Sequence, residues 1–167
     1  FLWAMGKEQE AVAVTRDAAV VAAKVGNPRV ETVILSNLGT AETKLGHLDA
    51  ARAHNAAAQQ KMATFEDPEV ARDVHLAAAY TAIRSGQYAE AEQELDRAEM
   101  WRVSDRCHLY RARLAYARGD YARAWELVKK ARAAAPVWLI QSEQMYRAFG
   151  ESARTGKPAT IQFEEPV

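Results

Sequence analysis

Apolar and polar positions along this chain recur at helical spacing almost from end to end. From Lys7 to about Lys24, Ala11, Val14, Ala18 and Val21 return every three or four residues, with Val25 continuing the row. That spacing predicts an amphipathic helix with one buried stripe. Gly26 stops it and Asn27-Pro28 turns the chain. The pattern resumes over Arg29–Leu45, with Val33, Leu35, Leu38 and Leu45 inward, and again from Leu48 to about Ala63. Asp67-Pro68-Glu69 opens the next helix, with aspartate as cap and proline in the first turn. That helix runs to about Ser85, Gly86-Gln87 turns, and Tyr88 to about Met100 returns. Ser104 caps a helix to about Arg118, Gly119-Asp120 turns, and Tyr121–Ala134 returns to Pro136. Trp138 to about Ser152 is a last helix, with Trp138, Ile140, Met145, Tyr146 and Phe149 on apolar faces and Glu143, Gln144, Arg147 and Glu151 on a polar one.

The helices come in pairs that repeat. In Leu109–Pro136, alanines follow Gly119 at five and twelve residues, as Ala124 and Ala131. Gly86 is followed in the same way by Ala91 and Ala98, Gly46 by Ala51 and Ala58, and Gly6 by Ala11 and Ala18. Alanine at these points lets two helix backbones approach closely, where a larger side chain would hold them apart. One pair cannot bury its apolar stripe alone, but stacked pairs can.

The repeat resembles the tetratricopeptide repeat. The third unit carries Gly119, Tyr121, Ala124, Ala131 and Pro136. The second has Gly86, Tyr88, Ala91, Leu95 and Ala98, and the first has Leu38-Gly39, Gly46, Leu48, Ala51 and Ala58. A half repeat stands before them. Glu42 and Arg111 depart from the pattern, occupying places where the family usually has apolar residues. Only the third unit has the closing proline. The glycines are 40, 40 and 33 residues apart, against a family period of about 34. The resemblance implies an all-α fold, an α-solenoid of antiparallel helix pairs wound into a right-handed superhelix with a C-terminal capping helix. The expected organisation is a repeat domain over 1–155: a half repeat at 1–25, repeats at 29–64, 68–101 and 104–135, and a capping helix at 137–154. An extended or disordered tail at 156–167 follows. In this frame residues 1–5 are the end of a helix, so the chain reads as a fragment of a longer protein.

Composition narrows the function classes. The chain has 167 residues, the length of one domain. Lys and Arg number 22 against 22 Asp and Glu, which gives no global attraction to nucleic acid or anionic lipid. Cys107 is the single cysteine, so no internal disulfide forms, and it reads as a small buried apolar residue. No apolar run approaches the roughly 20 residues of a membrane span, and no basic-then-apolar leader is present. A cytoplasmic location is expected.

Catalytic and metal-site motifs are missing: no HExxH, CxxC, phosphate-binding glycine loop or GxSxG. His47, His54, His75 and His108 lack ligand spacing. His75 and His108 each lie eleven residues before a repeat glycine and read as inter-helix packing. Cys107 and His108 are adjacent on a helix and point about 100° apart, so they form no nucleophile–base pair. Glu8, Glu10, Glu90, Glu92 and Glu94 read as a solvated surface. Trp3, Trp101, Trp125 and Trp138 read as helix–helix contacts. No enzyme activity, metal or cofactor is expected.

The resemblance implies that ligands meet the first helix of each pair, which lines the concave groove. By register this face carries Asn37, Thr40 and Lys44 in the first pair. The second contributes Asp73, Ala77, Tyr80 and Arg84, and the third Arg106, Tyr110 and Arg113, with Tyr116 at the edge. Asn37, just before Leu38-Gly39, matches a family position that hydrogen-bonds the backbone of a bound peptide, and its amide both donates and accepts. Ala77 and Tyr110 stand at the equivalent places, so neither an asparagine ladder nor the two-carboxylate clamp of chaperone-binding members is matched. Lys44, Arg84, Arg106 and Arg113 against Asp73 make the set basic, which predicts an acidic peptide, with Tyr80 and Tyr110 as flat contacts. The expected function is a non-catalytic protein-interaction scaffold. The alternative is a sensor or regulatory module of a larger bacterial signalling or transcription-regulatory protein. The expected partner is a protein or peptide, not nucleic acid or membrane, with the N-terminal half repeat a candidate for self-association.

Overall fold

In a computed structural model, residues 8–101, 103–135 and 140–160 are described, and among them every regular element is an α-helix. They are α1 (Glu8–Val25), α2 (Pro28–Leu45), α3 (Leu48–Met62), α4 (Pro68–Arg84), α5 (Tyr88–Trp101), α6 (Asp105–Ala117), α7 (Tyr121–Ala134) and α8 (Ile140–Thr155). Helices that follow one another pack together, as an α-solenoid requires: α2 on α3, α4 on α5, α6 on α7, with α1 against α2 and α8 against α7. The chain divides into two compact units, the first ending at Arg102 and the second beginning at Val103.

Local chemistry fixes the helix ends. Asn27 accepts a hydrogen bond from the Val30 N–H, and Asp67 accepts from Glu69 and Val70, each with proline opening the helix behind it. Ser104 caps α6 through the Cys107 N–H. The reversal between α2 and α3 needs Gly46, whose φ of +80° lies in the left-handed region. There the Gly46 and His47 N–H groups donate to the Thr43 and Glu42 carbonyls, which the helix leaves unmatched.

In the first unit, Val12 of α1 packs with Leu38 and Ala41 of α2, and Ala58, Val70 and Val74 join α3 to α4. The repeat alanines Ala51, Ala58, Ala91 and Ala98 are 0% exposed, as close helix crossings demand. The α1 stripe differs from expectation. Ala11 is buried, but Val14, Val21 and Val25 are exposed, and Val33 of α2 also faces outward.

The second unit closes on Ala112 and Ala115 of α6, Ala124 and Val128 of α7, and Met145, Ala148 and Phe149 of α8. Phe149 stacks on Tyr116 at a centroid distance of 4.5 Å, and Trp125 meets Tyr146 at 4.5 Å. Trp125 thus makes the helix contact expected of it. Trp101 is 46% exposed, and Trp3 and Trp138 lie outside the described residues. Of the tail, residues 156–160 are described, and they are held: the Ala159 N–H donates to the Tyr116 hydroxyl at 2.9 Å and the Thr160 N–H to Glu151 at 3.1 Å. Residues 161–167, like residues 1–7, lie outside the described part.

Candidate functional site

The first helices of two successive pairs, α2 and α4, lie side by side in the first unit and leave a depression of about 270 Å³. Arg29, Val33, Ser36 and Asn37 line it from α2, and Glu69, Val70, Arg72, Asp73 and Val74 from α4. Asn37 and Asp73, both expected on a ligand face, are brought together here. Asn37 is exposed. Arg72 Nε donates to Asp73 at 3.0 Å. At the rim, Arg29 Nε donates to the Asp67 carboxylate at 2.6 Å, an exposed contact tying α2 to the cap of α4. The Arg29 hydrogen bond, helped by the Val70 N–H, holds the Asp67 carboxyl below its ordinary range.

The other expected residues lie elsewhere. Thr40 is half-buried and donates to the Ser36 carbonyl. Lys44 and Arg84 occupy the last turns of α2 and α4, away from the depression. Tyr80 is 1% exposed, and its hydroxyl accepts from Arg84 at 3.4 Å. Arg106, Tyr110 and Arg113 belong to α6 in the second unit. Tyr110 and Arg113 are buried, with the guanidinium 5.0 Å from the Tyr110 ring centroid. Tyr80, Tyr110 and Arg113 are therefore core side chains in this structure and not part of an exposed face. The depression itself carries two arginines and two carboxylates, so its lining is charge-balanced where the summed residue set is basic.

Sequence reasoning missed three buried polar clusters. Glu42, flagged as out of place in a repeat, is fully buried and takes hydrogen bonds from Arg16 of α1 and from His47 at 2.7 Å. Glu94, expected on the surface, is 5% exposed. It joins His75 of α4 at 2.8 Å, and also Arg97 and Gln59. His75 is the inter-helix contact expected of it. Asn55 Nδ2 donates to Thr81 Oγ1 at 2.7 Å, and Thr81 lies 2.7 Å from the Thr43 hydroxyl, linking three helices. Glu42 carried a signal in its sequence position. Glu94 carried none, because its polar partners come together only in three dimensions. Cys107 is buried, as expected. Among the described residues no group of three His, Cys, Asp or Glu side chains could hold a metal ion, and no helix is long and apolar enough to cross a membrane.

These clusters make stability depend on pH. Burial alone would raise the Glu42 and Glu94 pKa values. Hydrogen bonds from His47 and Arg16, and from His75 with the Arg97 charge, outweigh it and lower both below 4.5. Their contribution is present above that pH and is lost as pH falls through the lowered values. His54 is depressed below 6.5 by burial, against the opposing charge of Glu42. The unfolded chain therefore takes up that proton first, and stability falls from about pH 6.5 downward. Urea unfolding across pH should show an upper limb that His54→Gln flattens and a lower limb that it leaves in place. An unchanged upper limb would place its origin outside His54.

The chain matches no family model, no curated protein and no solved structure.

Proposed function

We propose that the protein is a non-catalytic interaction module of tetratricopeptide type, a right-handed helical solenoid that holds an extended peptide against the first helices of its pairs. The observation that carries this reading is the exposed Asn37 amide at the edge of the α2–α4 depression. A carboxamide offers one acceptor and two donor hydrogens, which is what an extended peptide backbone needs from a side chain. The ion pairs at Arg29–Asp67 and Arg72–Asp73 surround it with fixed polar walls. Lys44, roughly 10 Å beyond Asn37, and Arg84, roughly 16 Å beyond Asp73 along its helix at 1.5 Å per residue, give an acidic side chain of the same peptide a direction to point.

Fluorescence anisotropy with a labelled acidic decapeptide, and a lysine-substituted control, tests the reading. Asn37→Ala should weaken binding about tenfold, the worth of a hydrogen bond left unmade on a peptide backbone. Arg84→Glu should reduce the preference for the acidic peptide and its salt dependence without changing helicity. Equal affinity of wild type and Asn37→Ala would remove the depression as the site.

A further inference from the structure

A second hollow, of about 210 Å³, lies between α3 and α5 with α4 as its floor, and it shares no residue with the α2–α4 depression. Arg52 and Gln59 line it from α3, seven residues apart, and Glu90 and Glu94 from α5, four apart, so each helix turns one face to it. Ala56, Ala78 and Ala82 keep the space open, since their side chains stop at Cβ. Asn55, Thr81 and Glu94 enter its lining as buried polar side chains. At one end Gln59 Nε2 donates to Glu94 at 3.0 Å and ties α3 to α5. The Glu94 carboxylate is spent on that bond and on His75 and Arg97.

Two charges of the lining are not spent. Arg52 stands roughly 10 Å before Gln59 along α3, and Glu90 roughly 6 Å before Glu94 along α5, at 1.5 Å per residue. Both are exposed, and among the described residues neither has an ion pair or a side-chain hydrogen bond. A guanidinium and a carboxylate thus face one cleft from its two walls without closing on each other. The lining also selects by exclusion. An apolar guest would strand its polar groups, and a guest with a single charge would satisfy one wall and oppose the other. We propose that this hollow binds a small zwitterion of amino-acid size, its carboxylate held by the Arg52 guanidinium and its ammonium by Glu90.

Isothermal titration calorimetry on the full chain tests this, with L-glutamine and γ-aminobutyrate as zwitterions and butyrate and butylamine as singly charged controls. At least one zwitterion should bind, about tenfold more tightly than either control, the worth of one charge-assisted hydrogen bond. Which of the two binds distinguishes an α-amino acid from an ω-amino acid. Arg52→Gln and Glu90→Gln should each weaken that binding about tenfold. Both residues are exposed, so helicity should not change. The charge swap, Arg52→Glu with Glu90→Arg, should restore binding, because a zwitterion can turn end for end. A loss of fold could not be restored in this way. A hollow filled by water alone, giving no heat with either zwitterion at millimolar concentration, or binding indifferent to both neutral variants, would overturn the proposal.

Discussion

Replacing Ala91 by leucine should destabilise the first unit by about 1–3 kcal/mol, because the added methylenes overfill a close-packed helix crossing. Ala91 is 0% exposed and stands on α5 where that helix packs on α4. Its counterparts Ala51 and Ala124 are equally enclosed. With Ala91 fully enclosed, the added carbons of a leucine have to displace groups packed around it. Neighbouring Ala89 is exposed, and Ala89→Leu supplies the control: same helix, same residue types, no crossing. Urea midpoints should fall for Ala91→Leu and stay near wild type for Ala89→Leu. Equal midpoints would mean that this alanine does not set the helix spacing.

Gly39→Ala should also destabilise, although alanine is the better helix former by about 1 kcal/mol. A Cβ at Gly39 would lie 2.1 Å from Asn55 Oδ1 and 3.3 Å from the Ala51 carbonyl oxygen. Asn55 cannot swing away cheaply, because it is buried and its amide is engaged with Thr81 at 2.7 Å. Displacing it strands a buried amide, at about 1–3 kcal/mol. The second pair suggests the compensation: forty residues on, the same two places hold Ala79 and Leu95, both 0% exposed. Gly39→Ala combined with Asn55→Leu should therefore recover most of the loss, and a double-mutant cycle should show strong coupling between the two sites. Additive effects would show that the two sites act independently.

These two changes also show how far the sequence could be read. The alanines were legible because their spacing repeats and small size has one physical use at a helix crossing. The caps were legible because asparagine or aspartate before proline satisfies orphan N–H groups locally. Asn55 was not legible, since its partners Ala77 and Thr81 lie on another helix, α4. Glu94 looked like surface for the same reason: a carboxylate in a polar run reveals nothing of the His75 that reaches it from α4. The valines of α1 failed differently. Periodicity identifies a stripe that prefers to be covered, but it cannot say whether the cover comes from within the same chain. Of the ligand face, Asn37 and Asp73 fell together because α2 and α4 pack side by side. Tyr80 lies seven residues beyond Asp73, where the same register runs into the interior of the unit.

The two kinds of connection in the chain have unequal tolerance for added length. Within a pair, the turn at Gly46 is a single left-handed residue already committed to closing the helix before it. Between α3 and α4, by contrast, residues 63–67 form a looser strap. The shift from 40 to 33 in glycine spacing comes mostly from shorter helices, α6 having 13 residues where α4 has 17. A tag, epitope or protease site grafted into this protein therefore belongs between the exposed Ala63 and Thr64, clear of Phe65 on the α3–α4 cluster, so that the hairpins on either side keep their own internal measure.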